Sequence, residues 1–544
     1  MMQVGCATSM PSAGADVPNG GAGGGVGGAG GGTVAGCATA ADCRVGYTCQ
    51  SSVCVPPEQE TNSGLGDAPP VATAHYVYAL NPTAASVARI DPASLAIEAI
   101  PVGPRPVSLA AMPGEDAALV LSYDDSSLSL VDSRTLPSAV TRIPLTRQFS
   151  RLSLSPDGLW AVAWTDPKVA PASGAEGIFV LVDLAKARAH APVAEVLFER
   201  AGGYRVTDLV FRLDGSAATR LYVFAKATAS TFELTSPPPV LPARVQLPAS
   251  MSADVTSREV VASRDGHVVM LRSTVAAELA SFDGAALSLV PLPEVATDLD
   301  LLPDGSAAVA ALRNAGQVAY LEIPADLVAP AGIQTFPVPG GSVGQIALPP
   351  EAPASGMFAL VYSNVAGGES FARVDLPSGA VTVYPLEKLV NEIALSPDSK
   401  SAVIIHRSNP ATTATDPYEA AVDRDEGFSV FDVATGFWEL QRTGTTRPTR
   451  YAFAPHGGYV GVALRDDGLH KYALDAVNLS SLVSTTLSLA STPLYMGTVP
   501  EAAGITPYRV FVSQDHPAGR ISFIQLDTGQ VRTATGFTLN GEIE

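Results

Sequence analysis

Four carboxylates, Asp416, Asp423, Asp425 and Glu426, fall in the stretch Ser408 to Gly427, the largest insertion between the apolar segments of this chain. Carboxylate oxygens at that density are the hard ligands that Ca²⁺ takes, so this loop is the candidate metal site. The Asp423-x-Asp425 spacing fits such use, but the full EF-hand pattern is absent, and a solvated acidic loop is the competing reading. A second cluster is Cys37, Cys43, Cys49 and Cys54, spaced C-x5-C-x5-C-x4-C. Two chemistries use four cysteines in so short a stretch: a pair of disulfides stapling a module too small for a core, or four thiolates on zinc. Zinc sites usually show tight CxxC pairs, which this stretch lacks, so disulfides are preferred; spacing does not choose their connectivity. Seven histidines are present, with no HExxH pattern. Of these, His406 ends an apolar run beside the long loop and is the one placed to face a central channel. No GxSxG elbow, P-loop or Rossmann glycine pattern occurs.

The elements that must position these groups come from a large, weakly charged chain. It has 544 residues, 47% hydrophobic and 16% charged, with a formal net charge of −20. A chain of this size buries a substantial core. No Lys/Arg cluster interrupts the acidic balance, which excludes a nucleic-acid binder and leaves anionic membranes a poor docking surface. No run of 18 apolar residues is present to cross a membrane as a helix.

Residues 7–36 are rich in Gly and Ala with no periodic apolar face. A Gly-rich coil of that length reaches roughly 30 Å, enough to act as a tether. Pro56 to Ala72 is polar and rich in Pro and Gly, a linker composition. The organisation expected is a lipoprotein-like start and tether over 1–36, a Cys-rich module over 37–56, a linker over 57–74, and one large domain over 75–544.

That domain repeats a phrase. Leu154-Ser155-Pro156-Asp157-Gly158, Leu302-Pro303-Asp304-Gly305 and Leu395-Ser396-Pro397-Asp398 each precede an apolar run, and looser copies recur at a period of about 40–58 residues. Between copies lie short alternating segments, several ending in Asp before a Gly, as in Val374-Asp375 with Gly379 and Phe431-Asp432 with Gly436. Such an Asp is a turn device, because its side chain accepts from the next backbone N–H groups. A strand, a turn, two apolar strands and a polar edge strand make one blade, so the fold class is all-β: a β-propeller of four-stranded antiparallel blades. Turns near 113, 156, 214, 265, 303, 350, 397, 455 and 500, with three further strands over 75–102, count nine or ten units. Rings of four to eight blades are usual, so seven or eight is preferred and ten is the upper count. The segment Phe537 to Ile543 is expected to supply the missing first strand of the opening blade and zip the ring shut.

These repeats resemble the YVTN-type, lactonase-like and TolB-type SPDG propeller repeats over roughly 75–540. Val4-Gly5-Cys6 resembles the end of a bacterial lipobox, with Gln3 standing where that pattern has an aliphatic residue; the resemblance implies lipidation at Cys6. The cysteine quartet is similar to the small Cys-rich motif that follows the tether in secreted proteins of predatory soil bacteria. Together they imply an exported protein of the cell envelope or extracellular space, held at an outer or cytoplasmic membrane by its lipid only. The function expected is a binding or scaffold module for a protein or carbohydrate ligand on the loop face, with no cofactor beyond Ca²⁺. The alternative, carried by family resemblance, is a lactonase-like hydrolase or isomerase working in the central channel.

Overall fold

The computed structural model describes residues 48–50, 53–55, 68–165, 178–189, 195–199, 206–235, 243–253, 256–340, 343–365, 368–500 and 508–537. The chain divides into two compact units, one up to Gly64 and one from Leu65 onward. In the first, Thr48–Gln50 pairs antiparallel with Val53–Val55, a register that sets the Cys49 backbone opposite that of Cys54. Cys6, Cys37 and Cys43 lie outside the described residues.

The second unit is a ring of ten four-stranded antiparallel sheets, each built from four consecutive strands. Blades one to ten span 71–101, 106–144, 151–199, 206–246, 258–291, 298–337, 345–385, 389–444, 447–488 and 493–535. The chain therefore follows the upper repeat count, not the usual ring of seven or eight. Ring closure also differs from expectation. Val71–Ala72 is the first strand of blade one and pairs with Val77–Asn81, taking the place expected of Phe537 to Ile543, of which residues 538–543 lie outside the described residues. Closure is instead by packing: Val77, Ala79, Ala88 and Ile90 meet Val499, Phe511, Ile521, Phe523 and Phe537 in one apolar cluster. Asn81 Nδ2 adds a bond to the Phe537 carbonyl at 3.4 Å. Each of the other nine neighbouring blade pairs shares a cluster of the same kind.

Burial explains the texture of each repeat. Second strands such as Ala117–Ser122 and Ala307–Leu312 are buried along their whole length, because sheets pack on both faces. Fourth strands such as Ala139–Pro144 and Gln530–Thr535 are largely exposed edges. First strands, such as Arg151–Leu154 and Val206–Asp214, are mostly half-buried, since they have a sheet neighbour on one side and the ring axis on the other.

The turn phrase has a mechanical basis. Ser155 Oγ donates to Asp157 Oδ1 at 2.6 Å and accepts from the Trp160 N–H at 2.9 Å, while Gly158 takes φ +69. Asp157 Oδ2 reaches out of its own blade and accepts from the Ala218 N–H of blade four at 2.7 Å. The phrase thus closes a hairpin and staples the next blade. Asp432 is a turn device as expected, its Oδ1 accepting from the Thr435 N–H at 2.7 Å, whereas Asp375 Oδ1 accepts from Arg373 Nε at 2.8 Å and leaves the turn bond to its backbone carbonyl.

Candidate functional site

Two places in the ring gather polar chemistry. The first is the axis. One register position recurs on the first strands, and it holds Arg151, Asp208, Glu259, Asp298, Glu392 and Arg450 in blades three, four, five, six, eight and nine. The residue after each is apolar: Leu152, Leu209, Val260, Leu299, Ile393 and Tyr451. Period-two alternation sends the charged set to one face of each strand and the apolar set to the other.

Three of these charges serve neighbouring blades, directly or through one partner. Asp298 Oδ2 accepts from the Ile346 N–H of blade seven at 2.7 Å. Glu259 pairs with Arg272 at 2.7 Å, and Arg272 Nη1 donates to the Ala296 carbonyl ahead of blade six at 2.7 Å. Tyr451 of blade nine donates to Glu392 Oε1 at 2.6 Å, and burial with that carboxylate raises the phenol's pKa. Asp300 is the exception. It lies two residues along from Asp298 on the same face, with no hydrogen-bond donor or cation among the described residues. Burial raises its pKa well above the usual carboxylate range, and the carboxylates of Asp298 and Glu259 push in the same direction. Asp298 is pushed up to about 6, first by burial and then by Glu259, against the Ile346 N–H and Arg272. Both carboxyls keep some contact with water while sitting deep inside the ring.

The second place is a cleft of about 540 Å³ between the fourth strand of blade eight (Trp438–Gly444) and blade nine. Arg442, Thr443, Thr446, His470, Lys471, Tyr472, Asp475, Thr486 and Ser488 line it. Asp475 is buried in mid-strand, where the third strands of other blades carry small residues: Ser129, Ala280, Ala319, Ala372 and Ser522. Its Oδ1 accepts from Thr486 Oγ1 at 2.6 Å. No other protein donor reaches it among the described residues. Burial raises its pKa, opposed by the Thr486 hydroxyl. A buried carboxyl with spare acceptor capacity is costly unless something else satisfies it.

The acidic loop contributes to this cleft in a way its composition did not announce. Its centre is a helix, Pro417–Arg424, whose N-terminus is capped by Asp416 Oδ1, accepting from the Tyr418 and Glu419 N–H groups at 2.9 and 3.0 Å. Asp423 accepts from the Thr412 hydroxyl, and Glu426 Oε1 from Ser408 Oγ at 2.8 Å. Asp425 Oδ2 takes the Nε and Nη2 of Arg442 at 2.9 and 2.6 Å, and the Arg442 guanidinium lies 5.8 Å from the Tyr418 ring centroid. The four carboxylates expected to share Ca²⁺ are thus spread along a capped helix and bonded to separate protein donors. Among the described residues no group of three or more His, Cys, Asp or Glu is placed to hold a metal ion. The cation the loop does enclose is internal. Lys388, fully buried, donates its ammonium to the carbonyls of Val422, Asp423 and Asp425, the last two at 3.3 and 2.7 Å.

His406 is not at the axis. It sits on the second strand of blade eight, buried, with Nδ1 bonded to the Leu389 carbonyl at 3.2 Å and Nε2 paired with Ser429 Oγ at 2.7 Å. Burial takes its pKa down to about 3, so the ring is neutral across physiological pH. The residues that composition and motif reasoning missed each left a local signal. The charged row lies five residues ahead of the turn proline, as in Arg151 before Pro156, Asp298 before Pro303 and Glu392 before Pro397. Asp475 breaks the otherwise apolar run Ala473 to Val477.

No protein-family profile matches the chain, and no curated protein matches it in sequence. Among solved structures it is similar to a eukaryotic initiation factor at 13% identity, covering 85% of this chain and 96% of that one, with a TM-score of 0.49. It is also similar to the dihydro-heme d1 dehydrogenase NirN in complex with DHE, at 13% identity over 69% of this chain and 73% of that one, TM-score 0.40. Apo AztD from Citrobacter koseri gives 12% identity over 69% and 95%, TM-score 0.34. At such values none of the three bears on what this ring binds.

Proposed function

We propose that this chain is an exported, lipid-anchored β-propeller that acts as a binding module for a polar ligand of the cell envelope, taken up on the loop face of blades eight and nine. Asp475 carries the reading: a carboxyl buried in mid-strand, bonded on one oxygen to Thr486 and opening on a cleft lined by hydroxyl and basic side chains. Pockets of this size with a few convergent polar groups are the usual form of a small-molecule site. Helix Pro417–Arg424 supports it by holding Arg442 at the rim through Asp425.

The full-length protein is expected to co-sediment with purified bacterial envelope fragments, and Asp475→Asn or Arg442→Ala to weaken that about tenfold, near 1.4 kcal/mol. Absence of co-sedimentation, or binding unchanged in both variants, removes the reading. The anchor is a separate expectation: palmitate fed to a bacterial host should label the protein and not its Cys6→Ala variant. Equal labelling of the two would discard lipidation at Cys6.

A further inference from the structure

The chemistry of the cleft narrows the class of ligand, and the narrowing rests on the binding-module reading above. We propose that the cleft between blades eight and nine binds a neutral saccharide, with Asp475 accepting from a pair of adjacent sugar hydroxyls and Arg442 donating from the rim. Three observations carry it. Among the described residues Asp475 is an acceptor with only Thr486 to satisfy it, and a carboxylate has two oxygens and about four acceptor positions. A polyol supplies several O–H donors at close spacing, which is what such a group lacks. Arg442 commits Nε and Nη2 to Asp425, and among the described residues its Nη1 meets no acceptor, so that amino group remains to donate to a ligand oxygen.

The walls fit the same chemistry. Thr443, Thr446 and Ser488 present hydroxyl oxygens. A volume of about 540 Å³ admits a ligand of sugar size.

Charge decides between neutral and acidic sugars. Arg442 at the cleft is paired with Asp425, and Lys471 is exposed to solvent at the strand end, where it adds slightly to the lowering of the Asp466 pKa. What remains is one buried carboxyl, Asp475, which would repel an anionic sugar and tolerate an uncharged one.

Saturation-transfer NMR on the full-length protein, with D-glucose, D-galactose, D-mannose and N-acetyl-D-glucosamine as separate probes and D-glucuronate as the charged control, tests the assignment. At least one neutral sugar should give a saturable response in the millimolar range, glucuronate none. Asp475→Asn, nearly isosteric, should weaken binding at least tenfold, and Ser488→Trp, which fills the exposed side of the cleft, should abolish it. The proposal is overturned if no neutral sugar binds, if glucuronate binds as well as or better than they do, or if the sugar signal survives in both variants. Envelope co-sedimentation that depends on Asp475 while none of the four sugars binds would sink the saccharide assignment and leave the binding module standing.

Discussion

Lys388→Met is expected to destabilise the ring by about 2–4 kcal/mol and to loosen one loop before any other. The side chain is fully buried, and its ammonium is the shared donor for the carbonyls of Val422, Asp423 and Asp425 at the end of the helix Pro417–Arg424. Methionine keeps most of the volume and removes every donor, so three carbonyls are left facing an apolar group. A buried polar group without its partner costs about 1–3 kcal/mol, and water entering the opened loop recovers part of that. Burial pulls the ammonium's pKa below its usual value, while Asp423, Glu426 and Asp425 hold it up. The effect should appear as a lower urea midpoint and as early proteolytic cleavage between 408 and 425. Because Asp425 orients Arg442, envelope binding should weaken as well. A variant that matches the wild type in both urea midpoint and cleavage pattern would show that the ammonium is not what latches this loop.

Asp300→Asn is expected to do the opposite and stabilise the protein at pH 8, by about 1–3 kcal/mol, with the gain vanishing near pH 4. The carboxyl has no donor or cation among the described residues, and burial and the carboxylates of Asp298 and Glu259 all raise its pKa. The sign follows from proton linkage. A group whose folded pKa lies above its unfolded value binds more protons in the folded state, so its favourable contribution is complete below the ordinary carboxylate value and is lost as pH rises through the folded one. Asp298 belongs to the same coupled set, and its value of about 6 places the onset of that loss between pH 4 and 6. Asparagine removes the charge, so the gap between variant and wild type should widen with pH. Thermal unfolding of both proteins at pH 4, 6 and 8 measures it. A loss of stability at pH 8 would mean that Asp300 serves a cation or donor in the working protein, and the axis would then become the place to look for a ligand.

The two sites were unequally legible. Nine first-strand turns could be placed from Pro, Asp and Gly positions alone, because hairpin turns are local: Ser155, Asp157 and Gly158 need only their own neighbours to close one. The charged row at the axis was also present, at a constant offset from each turn, but its meaning depends on bonds between blades. Asp298 looks the same in sequence whether it meets the Ile346 N–H or open water. The acidic loop divides in the same way. Density of carboxylates is a property of the chain, while their bonds to Arg442, Thr412 and Ser408, and the position of Lys388 beneath them, are properties of the fold.

By itself the order of residues settled the strand-turn-strand grammar, the four-stranded unit and an upper count of ten, all of which rest on contacts only a few residues apart. Tertiary structure decided how the ring closes, by apolar packing of blade ten on a blade one whose first strand is Val71–Ala72, and which carboxyls are satisfied. Those outcomes depend on pairs such as Asn81 with Phe537, 456 residues apart, whose meeting is a sum over every intervening blade angle and is written in no single stretch of chain.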